Sequence, residues 1–544
     1  MRARQAVPAG EGFLRGALMI ALAGFISRLL GALYKPVATW LFRPYDGQNG
    51  EAGMGLTTGP AAAYLIVLAI SASGLNVAIS KLVAERLARG RPDEARRVFR
   101  ISLGLMAGLG LVLALAFYAS APFLAERAGR PETAPGFRAV APAIFFVSVM
   151  AAYRGLFQGL QRMTPYAMSQ IYEQIVRIVV GLFLIWLLAP RSVALGAAGY
   201  NFGTVAGAVV GLAYLLLLYL RGEAALPEAG SARTGPEERE PVGRIVRAIL
   251  AVAAPISLIA AVQPLMLAAD AWIVIHRLEA VGIAGLQADA ALGQLNNAFS
   301  VIWLPAMLTN ALYISLVPAI TESLEQGNRE QARRRSAAAY RITLLVGIPA
   351  AVGLWVLGDG IYYLIFGGEG GPVLSAMSLG ALFMMLQQTS SGILQGAGNI
   401  ASPTRNLLAG LAVKVILTYW LTATPLGARG AALATALGFA VAAGLNLLAS
   451  RRQMGPLMDW TGMWLKPGAA AGVMALGAWW LLPRLEGLLG SVRLAVLVDI
   501  ALAAGIYAAA LLLMGGVQAR DLLLIPRVGQ PLAEWLRRRG LVRE

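Results

Sequence analysis

Long apolar runs recur along the whole of this 544-residue chain. The run from Phe13 to Phe42 alone would reach roughly 45 Å as a helix, which is more than the thickness of a bilayer core. The mean hydropathy is +0.67 and only 13% of the residues are charged, values outside the range of an ordinary soluble domain. The sequence therefore predicts an all-α, polytopic membrane protein.

Apolar runs separated by charged or turn residues predict fourteen transmembrane helices. They cover residues 13–42, 58–83, 98–122, 138–160, 165–189, 193–220, 245–275, 294–321, 338–366, 371–397, 403–424, 427–450, 464–483 and 491–515. With the N-terminus inside, and with cations toward the ends of the spans counted with the adjoining segment, the inner segments hold 31 Lys and Arg residues and the outer segments hold 9. Because cytoplasmic loops carry the excess of Lys and Arg, both termini are predicted to be cytoplasmic.

The composition argues against most enzymes. The chain has no cysteine and a single histidine, which excludes disulfides and thiolate metal sites and leaves little for imidazole chemistry. We therefore expect no enzymatic activity and no metal cofactor. The formal charge of +17 in a membrane chain indicates contact with anionic membrane lipids and not with nucleic acid.

An internal repeat divides the chain. The segment ERLARGRPDEARR at 85–97 resembles ESLEQGNREQARR at 322–334, and GLFQG at 155–159 resembles GILQG at 392–396, with the same offset along the chain in both cases. Six predicted helices separate the copies, so the two halves have the same orientation in the membrane. The predicted regions are an N-lobe 1–220, a cytoplasmic linker 221–244, a C-lobe 245–450, two extra helices within 451–515, and a basic cytoplasmic tail 516–544.

Cations within the predicted helices are the candidate site residues. Arg28 lies near the middle of the first span, and Lys35 follows seven residues later on the same helical face. An unpaired cation at this depth costs about 3 kcal/mol or more, so it normally faces a protein interior, a watery cavity or an anion. The alternative is structural: Arg28 pairs with a carboxylate, and Lys35 extends to the interface.

Further charges lie in later predicted helices. Arg177 either contacts a ligand or pairs with Glu173 four residues earlier, and Lys414 occupies the position equivalent to Arg177 in the second repeat. Asp270 could pair with a cation of the first lobe, bind a coupling cation such as Na⁺ or H⁺, or form a structural pair. Asp499 lies in an extra helix, and its role is left open.

Three segments carry a resemblance to a known family: SRLLG around Arg28, residues 79–100, and YRGLFQGLQRMTPYAMSQIYEQIVR at 153–177. Here the chain resembles the stage V sporulation protein B and Gram-positive lipid II flippase group of the multidrug/oligosaccharidyl-lipid/polysaccharide exporter superfamily. The resemblance implies two six-helix lobes in a V, and two extra C-terminal helices that form a groove for a polyprenyl tail. It also implies flipping of undecaprenyl-linked peptidoglycan precursor across the bacterial plasma membrane, most simply by a monomer.

The chain departs from better-known Gram-negative relatives at two positions. Those relatives carry a second arginine six residues after the one matched by Arg28, where this chain has Tyr34 with Lys35 beside it. They also carry an arginine before the Leu-Pro of helix eight, and NNAFSVIWLP at 296–305 has none. The leading hypothesis is a lipid II flippase that works by alternating access. Alternatives are an exporter of another polyprenyl-pyrophosphate-linked saccharide, or a cation-coupled multidrug exporter of the same superfamily.

Overall fold

The computed structural model describes residues 9–224 and 240–517, without the side chains of residues 9–22, 25, 28, 311 and 314. Most of the predicted linker and nearly all of the predicted basic tail therefore lie outside the described residues.

Every long element of the described chain is an α-helix, and short π- or 3₁₀-helical turns join some of them. A π-helical turn, Ala69–Ser73, makes α2 and α3 one long helix. The α-helices are α1 Ala9–Asp46, α2 Glu51–Leu68, α3 Gly74–Ala88, α4 Pro92–Ala119, α5 Ala121–Arg127, α6 Ala134–Gly159, α7 Met163–Leu188, α8 Val193–Leu220, α9 Val242–Glu279, α10 Leu286–Glu325, α11 Arg329–Val356, α12 Gly358–Phe366, α13 Gly371–Gly396, α14 Ala401–Thr422, α15 Ala428–Met454, α16 Lys466–Leu489 and α17 Val492–Leu513.

The chain is an all-α, multi-pass membrane protein. Within the described residues, eleven helices are long and apolar enough to cross a membrane, counting α2 and α3 as one, and the number is twelve if α12 and α13 form one bent span. Each of the fourteen predicted spans falls on a helix, but α1 and α14 are not among those eleven. The count of fourteen transmembrane helices therefore stays a prediction.

The predicted span 338–366 is wrong in its second half. α11 ends at Val356, and α12 begins at Gly358 as a separate helix that is bent by 110° from α13. A Cβ on Gly358 would lie 2.1 Å from the Ser375 hydroxyl oxygen and 3.2 Å from the Gly371 carbonyl oxygen, so the start of α12 packs closely against α13. Hydropathy did not reveal this break because apolar residues lie on both sides of it.

The helix boundaries follow the sequence repeat. Three helix boundaries of the first copy recur in the second copy at the offset of the sequence repeat. α10 ends where the repeat places the end of α3, α11 begins where it places the start of α4, and α13 ends where it places the end of α6. The turn between α3 and α4 and the equivalent turn between α10 and α11 each contain a glycine at positive φ, Gly90 at 70° and Gly327 at 73°. The two copies therefore share local structure as well as sequence.

The chain divides into two compact units, residues 1–293 and residues 294–544. In the first unit α6 is the core helix, because it packs against α3, α4 and α8 and most of its residues are buried. In the second unit the equivalent helix α13 has this role, packed against α11 and α15. α16 and α17 pack against each other, and also contact α11 and α12.

The first unit extends beyond the predicted N-lobe because α9 packs within it. Ahead of α9, Arg86 of α3 donates a hydrogen bond to Glu240 at 2.7 Å. At its other end, Arg130 donates a hydrogen bond to Glu279, the last residue of α9, and another to Asp289 at 2.6 Å. These ion pairs and the contacts of α9 with α2 and α3 account for its place in the first unit. The lobe boundaries drawn from the sequence stay a prediction.

Candidate functional site

A cavity of about 410 Å³ lies in the first unit among α1, α7, α8 and the last turns of α6. Three cations and one carboxylate line it, together with amides, hydroxyls and small residues. The lining residues are Gly24, Ser27, Gly31, Tyr34, Lys35, Arg154, Gln170, Glu173, Gln174, Arg177 and Tyr200. The cavity therefore collects most of the polar residues of the first and fifth predicted spans.

Glycines of α8 position the polar face of α7. A Cβ on Gly203 would lie 2.5 Å from the carbonyl oxygen of Arg177, and a Cβ on Gly207 would lie 2.4 Å from that of Glu173. Both distances are too short for any side chain, so the two helix backbones touch directly. Such close approach at small residues is a common way of packing membrane helices. It fixes the backbone from which Glu173 and Arg177 extend.

Position 34 is occupied by a packing residue, and the neighbouring Lys35 lines the cavity. The Tyr34 side chain is 3% exposed and stacks on Tyr200, with ring centroids 4.5 Å apart. A Cβ on Gly181 would lie 1.9 Å from the Tyr34 hydroxyl, so α7 also leaves room for this ring. Although this cation lies one residue later than the second arginine of the Gram-negative relatives, its side chain still lines the cavity.

Sequence reasoning missed Arg154, whose guanidinium is the partner of Glu173. Arg154 Nη2 donates to Glu173 Oε2 at 2.8 Å, and Arg154 Nε donates to Ser169 Oγ at 2.9 Å. The Ser169 hydroxyl in turn donates to the carbonyl of Tyr166 at 2.7 Å. Of the two alternatives for Arg177, the pair with Glu173 is not formed among the described residues, because Arg154 of α6 binds that carboxylate. A signal was present in the sequence, since Arg154 falls within the predicted span 138–160.

Arg177 lines the same cavity, and its Nε is buried without a hydrogen-bond partner among the described residues. The guanidinium adds a positive charge to the wall of the cavity, which favours an anionic ligand. Arg28 lies in α1, four residues after Gly24 and seven before Lys35, which both line the cavity. The side chain of Arg28 is outside the described part of the chain, so its role stays a prediction.

The remaining candidate residues do not line this cavity. Asp270 of α9 is 6% exposed, within the first unit. Lys414 of α14 is 2% exposed, within the second unit, where α15 packs so closely that a Cβ on Gly438 would lie 2.9 Å from the Lys414 Cβ. Asp499 of α17 is fully buried, and neither carboxylate oxygen has a hydrogen-bond partner among the described residues.

The cavity suits an anion better than a metal ion or a cationic ligand. Lys35, Arg154 and Arg177 outnumber Glu173, and guanidinium groups bind phosphate oxygens through charge-assisted hydrogen bonds. Within the described residues, no three His, Cys, Asp or Glu side chains come together as they would around a metal ion. The lining amides of Gln170 and Gln174 add neutral hydrogen-bonding groups beside the cations.

The helices define a multi-pass membrane protein, and its first unit contains a cavity lined by three cations and one carboxylate. The family described as "Polysaccharide biosynthesis protein" matches residues 13–324, which is more than half of the chain, and the family MatE matches residues 255–420. The chain belongs to the polysaccharide biosynthesis protein family.

Two relatives from Bacillus subtilis (strain 168) extend over most of the chain. Stage V sporulation protein B is 29% identical over 434 residues, 79% of this chain and 82% of that protein. The lipid II flippase MurJ is 28% identical over 444 residues, 78% of this chain and 80% of that protein. The resemblance inferred from the sequence is therefore confirmed.

Solved structures confirm the fold. A lipid II flippase MurJ in an inward closed conformation has a TM-score of 0.66 at 14% identity, and the match covers 93% of this chain and 100% of that chain. An inward-facing multidrug resistance MATE family transporter of the MOP superfamily has a TM-score of 0.64 at 18% identity, with 80% of this chain and 98% of that chain covered. The chain therefore shares the fold of these two solved structures.

Proposed function

We propose that this protein is a flippase for a polyprenyl-pyrophosphate-linked saccharide, with lipid II as its substrate, and that it works by alternating access. The observation that carries the proposal is the cavity of the first unit, in which Lys35, Arg154 and Arg177 face one carboxylate. The similarity to the lipid II flippase of Bacillus subtilis supports the choice of substrate. On this proposal the protein is a transporter of the bacterial plasma membrane, it has no enzymatic activity, and both termini are cytoplasmic.

The chemistry of a pyrophosphate fits this cavity. Its several anionic oxygens need more than one cationic donor, and the guanidinium fork of an arginine can bind two of them at once. In a membrane cavity of low dielectric each such contact is stronger than in bulk water. Ser27, Gln170 and Gln174 offer hydrogen bonds that carry no charge and that suit the first sugar of the headgroup.

A multidrug exporter is the second candidate, favoured by the match of the MatE family and by Glu173 in the cavity. A cavity for a cationic drug needs a free carboxylate, whereas Glu173 is already bound to Arg154 at 2.8 Å. The excess of cations therefore favours an anionic substrate. Whether Na⁺ or H⁺ drives transport is a separate question, and we propose no resident cofactor.

Complementation tests the proposal directly. The chain is expressed in a bacterial strain whose own lipid II flippase can be depleted, and growth is followed together with the amount of the protein in the membrane. We expect growth on depletion, because lipid II continues to reach the outer leaflet. Absence of growth at normal abundance contradicts the choice of lipid II and favours another lipid-linked saccharide. Resistance to cationic drugs without growth supports the multidrug alternative.

A further inference from the structure

A second cavity, of about 360 Å³, lies in the second unit between α14 and α15. The N-terminal end of α14 and the C-terminal end of α15 lie beside each other there, so the cavity is at the end of both helices and not at their middle. Its lining includes Arg405, Asn406, Leu445, Leu448 and Arg452 together with two alanines. None of these residues belongs to the cavity of the first unit.

Two arginines give this cavity a positive charge. Arg405 lies in the second turn of α14 and Arg452 in the last turn of α15, and both are exposed. Neither guanidinium forms an ion pair with a carboxylate of the described residues. α15 is long and apolar enough to cross a membrane, and cations at the end of such a helix lie at the depth where phospholipid headgroups are found.

The opposite part of the lining is apolar. Leu445 is 37% exposed and Leu448 is 55% exposed, on the face of α15 that turns away from the core of the second unit. Exposed leucines on a membrane-spanning helix meet acyl chains, so the arginines and the leucines together match the two parts of a lipid molecule. A soluble anion would use only the arginines.

A buried hydrogen-bond network fixes the floor of the cavity. The Asn406 amide donates to Asn446 Oδ1 at 2.9 Å, and the Asn446 amide donates to Ser391 Oγ at 3.0 Å. These three polar side chains satisfy one another, and they join α14 and α15 to α13. The two helices that carry Arg405 and Arg452 are therefore held in a fixed relation, which favours a shaped site over a diffuse basic surface.

We propose that this cavity binds one anionic phospholipid of the surrounding leaflet, with its phosphate between Arg405 and Arg452 and an acyl chain along Leu445 and Leu448. The charge of the two arginines selects an anionic headgroup over a zwitterionic one, and the leucines select a lipid over a free phosphate. The site is independent of the substrate that the first unit transports.

The test compares lipid binding by the full-length protein purified in detergent. Phosphatidylglycerol or phosphatidylcholine is titrated in, and the bound fraction is measured by native mass spectrometry. We expect the wild-type protein to bind phosphatidylglycerol more tightly than phosphatidylcholine. In the variant Arg405→Gln/Arg452→Gln, the ratio of the two affinities should fall about fivefold for each arginine removed. Arg451→Gln is the matched control, because this neighbouring exposed arginine does not line the cavity and its loss should leave the preference unchanged.

Three outcomes overturn the proposal. The double glutamine variant keeps the full preference, or Arg451→Gln reduces it as much, or inorganic phosphate displaces phosphatidylglycerol, which identifies a soluble anion as the ligand. If the double variant does not fold, Arg405→Lys/Arg452→Lys replaces it. Lysine keeps the charge, so this variant should still prefer phosphatidylglycerol over phosphatidylcholine, and loss of all preference there counts against the proposal.

Discussion

Substitutions in the ion pair of Arg154 and Glu173 can show whether these residues act in substrate binding or only stabilise the fold. The two groups are 2.8 Å apart, and their side chains are 13% and 21% exposed. A hydrogen bond to a charged group contributes about 1.5–3 kcal/mol, and partial exposure places this one toward the lower end. Arg154→Gln and Glu173→Gln both remove this ion pair and should lower the thermal midpoint, Arg154→Gln by the larger amount because it also loses the hydrogen bond to Ser169.

Transport should respond differently to the two substitutions. Arg154→Gln removes one of the cations that we propose bind the pyrophosphate, and losing a bond of about 1.5–3 kcal/mol lowers flipping about 10- to 150-fold. Glu173→Gln removes only the carboxylate that competes with the substrate for Arg154, while Ser169 still holds the guanidinium. We therefore expect flipping by Glu173→Gln to stay at the wild-type level or to rise.

The assay is flipping of fluorescent lipid II in proteoliposomes, with thermal melting of the same preparations. Arg162→Gln serves as the control, since Arg162 is exposed just before α7 and does not line the cavity. Equal losses of flipping in Arg154→Gln and Glu173→Gln would refute the reasoning, because the intact pair and not the free cation would then be what transport requires.

Three further substitutions test other parts of the structure. Gly207→Ala puts a Cβ 2.4 Å from the Glu173 carbonyl oxygen and should destabilise the protein by about 1–3 kcal/mol. Its control is Gly108→Ala, which should raise the melting midpoint because a Cβ there would meet no atom within 4 Å. Equal midpoints of the two variants would contradict the close packing of α7 and α8. Arg28→Ala should abolish complementation at normal abundance, and Arg28→Lys should restore it only partly; full growth of Arg28→Ala excludes a role in substrate binding. Asp499→Leu removes a buried carboxylate without hydrogen-bond partners among the described residues and should stabilise the protein by about 1–3 kcal/mol in melting experiments, while a lost transport activity at unchanged stability assigns Asp499 a functional role.

The sequence predicted the helices well because hydropathy and helix length follow directly from the bilayer. It failed where the determining contact lies between distant residues. Nothing near Glu173 in the sequence indicates that Arg154 rather than Arg177 is its partner, since the choice depends on how α6 packs beside α7. The break at Gly358 was missed for the same reason, because it depends on the approach of α13.

The repeat offers a way to see which polar contacts are specific to one half. At the offset of the repeat, Arg154 and Ser169 of the first unit correspond to Ser391 and Asn406 of the second. The first pair includes a cation, Arg154, which lines the cavity of the first unit. The second pair is neutral and joined through Asn446, whose hydrogen bonds leave no charge that needs a partner. Equivalent positions of the repeat therefore carry a contact with a cation in the first unit and a neutral hydrogen-bond network in the second.

Arg177 and Lys414 are also equivalent in the repeat but differ in their surroundings. The repeat places them at matching positions of α7 and α14, and the sequence alone suggested one cation from each half for a shared anion. Arg177 lines a polar cavity with a buried Nε that has no partner among the described residues, whereas Lys414 is 2% exposed between closely packed helices. Lys414 is thus enclosed by the protein, and the anion site that we propose needs only the cations of the first unit. The asymmetry between the units thus follows from packing, which a repeat in sequence does not fix.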